Sequence, residues 1–400
     1  MAMSEMENNS PSIEDILDPI ISLSWFLGGG LPHPSHKSKT DTIILCITHL
    51  VMSSIIIAYD VTHSSIFDNV KSNTFKIMYY INKMIWYMLA CYYVYDGIKQ
   101  YDKWSKLMKK IKNLDKQLKE VTGKSMNNRL IKNIEILAIL VIIVFSLLSL
   151  IIHILYHYFT CPEDILASDL LLYYMIAQSL INNFVFDIII YVLFCRFRMI
   201  NTFLMDFANV QVNSNQIKRI KELHKKICDL VTMISNIYGF RLLLCSTNCF
   251  TMVVVMLFGI YIGVIERYYV FMLMSNLLWI LYAVQFGLMC WICTLIRQEF
   301  KKTGTIICTI NNNWPATNLN STRNEGCIRN ELKYFFIQLQ QHQVAITACS
   351  FFQINNGLFS SFVGVIINYL IICIQFHDPK ICSLKSTENV INSHITSDIL

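Results

Sequence analysis

Charge is what this chain has least of. Only 15% of its 400 residues are Asp, Glu, Lys or Arg, against about a quarter in an ordinary soluble domain. Hydrophobic residues reach 54% and the mean hydropathy is +0.45, which excludes a pair of soluble domains and indicates a membrane protein. Met1 to Asp18 is acidic and polar, so no cleavable signal peptide is read there. The apolar runs hold no HExxH pair, no clustered carboxylates and no duplicated halves. Hydrolytic metal chemistry and a repeat-built transporter therefore find no support. The 14 cysteines are scattered, mostly inside apolar runs, as small buried hydrophobes are. Cys290 and Cys293 make a C-x-x-C without the second pair a metal site needs. No metal, cofactor or nucleic-acid partner is expected, since the net charge of +6 falls in particular loops.

What the chain has instead is seven apolar runs of membrane-crossing length. They are centred on 42–59, 77–95, 134–158, 166–194, 240–265, 268–296 and 353–376. The expected fold is an all-α membrane protein with seven transmembrane helices. Most of the 33 lysines and arginines lie in the N-terminal arm and the connections 96–133, 196–239 and 297–350. The positive-inside rule then places the N-terminus in the cytoplasm and the C-terminus outside. Between spans four and five, Ile217, Ile220, Leu223, His224, Ile227, Leu230, Val231 and Ile234 keep to one helical face. Spans four and five are accordingly expected to continue as helices well outside the bilayer.

The division that follows is a cytoplasmic arm over 1–41 and a six-helix bundle with cytoplasmic extensions over 42–296. A cytoplasmic linker and helix over 297–352, a seventh span over 353–376 and an extracellular tail over 377–400 complete it. Within the linker, 303–326 reads as disordered and 327–352 as an amphipathic helix. Two charges inside spans, Asp187 and Arg241, are costly in lipid and are expected to pair with each other.

The seventh span is not uniformly apolar. Ser361, Asn368 and Gln375 recur every seven residues, and Gly357, Gly364 and Ile371 form a parallel series. On a helix the two series merge into one polar, small-residue stripe. Such a stripe is either a packing face between helices or the lining of a water-filled path.

At this point the chain resembles the insect gustatory receptors, relatives of the insect odorant receptors. Asn368-Tyr369, five residues, then Gln375-Phe376 is similar to that family's seventh-span hallmark, with Asn368 where threonine is usual. Leu223-His224 followed by Asn236-Ile-Tyr-Gly239-Phe240 looks like the family's run before its fifth span. The resemblance implies a tastant-gated, non-selective cation channel in the plasma membrane of sensory neurons. It implies helices four to seven extended into the cytoplasm, where they join the subunits as a homo-tetramer, or a hetero-tetramer with other gustatory receptors, passing monovalent and divalent cations. Ser361, Gly364, Asn368, Ile372, Gln375 and Phe376 would then line or gate the pore. The tastant, a sugar or a bitter compound, would bind in the outer half of each subunit's bundle.

Outer-half residues suited to such a ligand are Tyr80 and Trp86 on span two, and His153 and His157 on span three. Tyr173, Tyr174 and Gln178 on span four and Asn276 and Trp279 on span six join them. Rings would stack and amides would hydrogen-bond. An interfacial aromatic belt in contact with membrane lipid explains any single ring at least as readily. The rival functions are a seven-helix receptor signalling through a G protein, whose Asp-Arg-Tyr and Asn-Pro-x-x-Tyr signatures are absent, and a membrane transporter.

Overall fold

A computed structural model of the chain describes residues 13–29, 39–63, 73–123, 167–207, 214–266, 269–313 and 323–377, with separate positions between 132 and 155. The elements in chain order are α1 (Ile13–Phe26), α2 (Lys39–His63), α3 (Asn73–Thr122), α4 (Ala167–Phe207), α5 (Ser214–Glu266) and α6 (Tyr269–Asn313). They continue with α7 (Arg323–Gln341), β1 (Thr347–Ala348), β2 (Phe352–Gln353) and α8 (Asn356–His377). Every described residue between 132 and 155 is helical. The expected tail lies outside the described residues from 378 onward, as do the first twelve residues of the arm.

Five helices among the described residues carry a stretch long and apolar enough to cross a membrane: α2, α4, α5, α6 and α8. The helices are far longer than a bilayer requires. α5 has 53 residues, about 80 Å at 1.5 Å per residue, against a hydrocarbon core of about 30 Å. α4 overruns in the same way, as the periodicity of the 196–239 segment leads one to expect, and α6 does so as well. α3 does so too. Its 50 residues run without a break from span two through the basic linker. Trp104, Leu107, Met108, Ile111, Leu114 and Leu118 are buried along one side of that extension. Lys99, Lys103, Lys106 and Lys110 lie exposed on the other.

Beyond the apolar stretches, α4, α5, α6 and α7 converge on one histidine. His224 is fully buried, with ring centroids of Phe197, Phe300 and Phe335 at 5.0, 5.5 and 5.3 Å. Nearby, Arg196 makes two hydrogen bonds to Asp115, at 2.9 and 2.7 Å, tying α4 to the α3 extension.

Three expectations change. Residues 303–313 continue α6 rather than forming a disordered linker, with Thr303 bonded to Asn201 at 2.6 Å and Ile307 buried. The amphipathic helix stops at Gln341, and the chain enters the last helix through a two-stranded hairpin. Val344, Ile346 and Ala348 are buried at a spacing of two, the period of extended chain. Cys349 and Ser350 turn the hairpin with φ of 49° and 64°. It sits against α5 where Gly239 leaves room, since a Cβ there would stand 3.3 Å from the Cys349 amide nitrogen. Finally, Asp187 and Arg241 do not pair. Arg241 on α5 is bound to Asp96 on α3, and Asp187 on α4 accepts a hydrogen bond from Gln285 on α6.

The arm is also more than a tail. Leu17, Ile20 and Ile21 of α1 are buried. Ser24 bonds Asn182 of α4 at 3.1 Å, and Trp25 bonds Thr42 of α2 at 3.0 Å.

Candidate functional site

Small and polar side chains at spacings of three and four put one hydrophilic face on α4 and another on α6, and both faces turn inward. They meet around Tyr282 of α6, which is 1% exposed. Its hydroxyl lies 3.1 Å from Ser179 of α4 and 3.2 Å from the Cys245 sulfur of α5. Ser179 is in turn 3.1 Å from the Tyr93 hydroxyl of α3, and Cys245 accepts from the Asn183 amide at 3.1 Å. The edge of Trp86 on α3 closes the group, with ring centroids 5.3 Å apart. Four helices are thus joined by one continuous hydrogen-bonded belt, in an interior that offers no bulk water as an alternative partner.

Two further contacts flank the belt. Gln285 donates to Asp187 at 2.5 Å, while Asp187 Oδ1 and Gln285 Oε1 are buried without a hydrogen-bond partner. Arg241 donates to Asp96 at 2.5 Å and lies over the rings of Tyr93 and Tyr238, at 5.3 and 5.4 Å.

Of the residues read as a ligand pocket, the fold brings Trp86 into this belt. It places Gln178 and Tyr174 beside it, in another role. Tyr174 O–H donates to the Leu27 carbonyl at 2.6 Å, and Gln178 Nε2 donates to the same oxygen at 2.8 Å. Both therefore hold the end of α1, with His49 of α2 stacked on Tyr174 at 5.6 Å. Gln178 Oε1 remains buried and unpartnered. Tyr173 is half-buried against the main core. Tyr80 is 39% exposed and points away from the interior, as a belt residue would. Asn276 and Trp279 lie on α6, with only their helical backbone described, and His153 and His157 lie outside the described residues. Tyr282, Ser179, Asn183 and Cys245 were not singled out from the sequence. Their signal was there: Ser179, Asn182 and Asn183, then Tyr282 and Gln285, are polar positions at helical spacing within apolar spans.

The last helix is packed on one side only. Phe362, Ile366, Leu370 and Cys373 face the bundle, with Phe362 against Phe250 of α5 and Phe286 of α6 at 6.0 and 5.2 Å. Ser361, Gly364, Asn368, Tyr369, Ile372 and Gln375 are exposed. At about 100° per residue, Gly364, Asn368 and Gln375 lie within about 20° of the point opposite Ile366. The polar stripe is thus turned away from the subunit's own bundle, and a Cβ added at Gly364 would meet nothing within 4 Å. Phe376 lies on the same helix, with only its backbone described.

A bundle of over-long apolar helices with a polar interior defines an all-α, multi-span membrane protein, and its match to a seven-span chemosensory family makes it a receptor and not an enzyme. The chain belongs to the 7tm chemosensory receptor family, whose model matches residues 17–378. Over 161 residues it is 24% identical to the gustatory receptor for sugar taste 43a of Drosophila melanogaster. That match spans 40% of this chain and 36% of the relative, so the chain aligns with about a third of the curated receptor's length. The fold is similar to the insect olfactory receptor OR5 from Machilis hrabei, with a TM-score of 0.60 at 13% identity, covering 90% of this chain and 97% of that one. The same receptor in complex with eugenol gives a TM-score of 0.57 at 12% identity, over the same shares.

Proposed function

We propose that this chemoreceptor is one subunit of a tastant-gated, non-selective cation channel in the plasma membrane of sensory neurons, with its N-terminus cytoplasmic. One observation carries the reading: the polar stripe of α8 is exposed and directly opposite the face that packs on the bundle. A stripe of amide and hydroxyl groups facing lipid is costly, whereas around a symmetry axis it would line water. Four copies, alone or with other gustatory receptors, would place Ser361, Gly364, Asn368, Ile372 and Gln375 along that path, with Gln375 and Phe376 at its outer end. Monovalent and divalent cations would pass.

The ligand would enter each bundle from its outer half, above the Trp86 and Tyr282 pair. The sugar-taste relative favours a sugar, and the eugenol complex of the fold neighbour favours a small aromatic molecule. Whole-cell recording in cells without added G protein tests the channel reading. A current evoked by one of a panel of sugars and bitter compounds supports it. A response that needs a co-expressed G protein and carries no current of its own overturns it in favour of the metabotropic rival.

A further inference from the structure

The belt around Tyr282 and the last helix are joined by a short path of side chains. Tyr282 and Phe286 lie four positions apart on α6, one above the other on the same face. Tyr282 contacts α3 through Trp86, α4 through Ser179 and α5 through Cys245. Phe286, 1% exposed, is stacked on Phe362 of α8 with centroids 5.2 Å apart and planes 12° from parallel. It also meets Phe359 at 6.3 Å. Just below, α6 holds the entry to α8: Thr294 Oγ1 accepts from the Asn356 amide at 2.9 Å, and Arg297 donates to Gln353 of β2 at 3.0 Å.

We propose that Tyr282 is the positioning residue that reads the packing of the other three helices and transmits it, through Phe286, to the Phe362 ring of α8. This rests on the channel reading above. A tilt of Trp86, or loss of either hydroxyl contact, displaces Tyr282 and α6 with it. Phe286 cannot move without breaking its stack, because rings in close-packed interiors exchange between discrete arrangements and do not deform continuously. Rotating α8 turns its opposite face, which holds Asn368 and Gln375, relative to the axis.

The test is a double-mutant cycle on gating. Tyr282→Phe deletes one hydroxyl, and Phe362→Leu deletes the stacked ring. Unliganded current, and current evoked by D-fructose, sucrose and caffeine in turn, are measured at matched surface abundance. Each single variant is expected to change the ratio of unliganded to maximal current by about fivefold or more. The double variant is expected to change it no further than the larger single, and Phe362→Tyr, which keeps the ring, to restore the wild-type ratio. Fold-changes that multiply, or a wild-type ratio in Tyr282→Phe, overturn the proposal while leaving the channel reading intact. A wild-type protein at the surface with neither basal nor evoked current removes the channel reading, and the proposal with it.

Discussion

Arg241 is held by Asp96, 2.5 Å away across α5 and α3, with both side chains at most 5% exposed. One guanidinium nitrogen of Arg241 has no hydrogen-bond partner, and the guanidinium lies over the rings of Tyr93 and Tyr238. Removing one charge therefore strands the other. Asp96→Asn or Arg241→Met is expected to cost about 3–5 kcal/mol. The double replacement, which leaves no lone charge, is expected to recover most of it. Thermal midpoints of the detergent-solubilised protein, followed by size-exclusion fluorescence, read both effects.

A second prediction concerns acid. His224 sits on α5 below its apolar stretch, enclosed by three phenylalanines, with Nε2 unbonded. Burial pulls its pKa down from 6.5 to about 3. Between those values the unfolded chain binds a proton that the folded chain refuses. Stability is thus fully present above pH 6.5 and falls as the pH drops toward 3. Thermal midpoints taken from about pH 7.5 to about pH 5 should fall, and His224→Phe should flatten that slope.

The docking of α1 makes a third. Gly28 has φ +67°, and a Cβ there would stand 2.7 Å from the His49 ring. Gly28→Ala is expected to destabilise by about 1–3 kcal/mol. Tyr174→Phe, which removes the hydroxyl from both the Leu27 carbonyl and His49 Nδ1 but leaves the carbonyl Gln178, should cost about 1–3 kcal/mol. Protease sensitivity of residues near the N-terminus gives the readout. Equal resistance in wild type and Gly28→Ala would show that the socket does not hold α1.

The fourth bears on the gate. Phe376→Ala is expected to raise unliganded current, and Gln375→Ala to change conductance or ion preference. Ile367, exposed to one side of the stripe, should tolerate alanine with little electrical effect. Surface abundance must be read alongside, since truncating a packed phenylalanine costs about 3–5 kcal/mol. Wild-type basal and evoked currents in Phe376→Ala at normal abundance would end the gate assignment.

Local pattern made the long helices legible. Ile217, Ile220, Leu223, Ile227 and Ile234 announce a helix by their spacing alone, and all are buried. The hairpin was harder to see, because Val344, Ile346 and Ala348 alternate over too few residues to stand out beside a strong helical pattern. The stripe on the last helix could be read from spacing, but not its direction, since an α-helix looks the same from sequence whichever face packs.

By itself, then, the sequence determined the membrane class, the run of apolar spans and the polar stripe, because low charge and helical periodicity are properties of neighbouring residues. Partners distant in the chain were decided only by tertiary structure. Arg241 chose Asp96 over Asp187, Tyr174 and Gln178 took the α1 carbonyl, and Tyr282 became the meeting point of four helices. Each depends on how helices are rotated about their axes, and that rotation is fixed by side-chain packing between segments far apart in the chain.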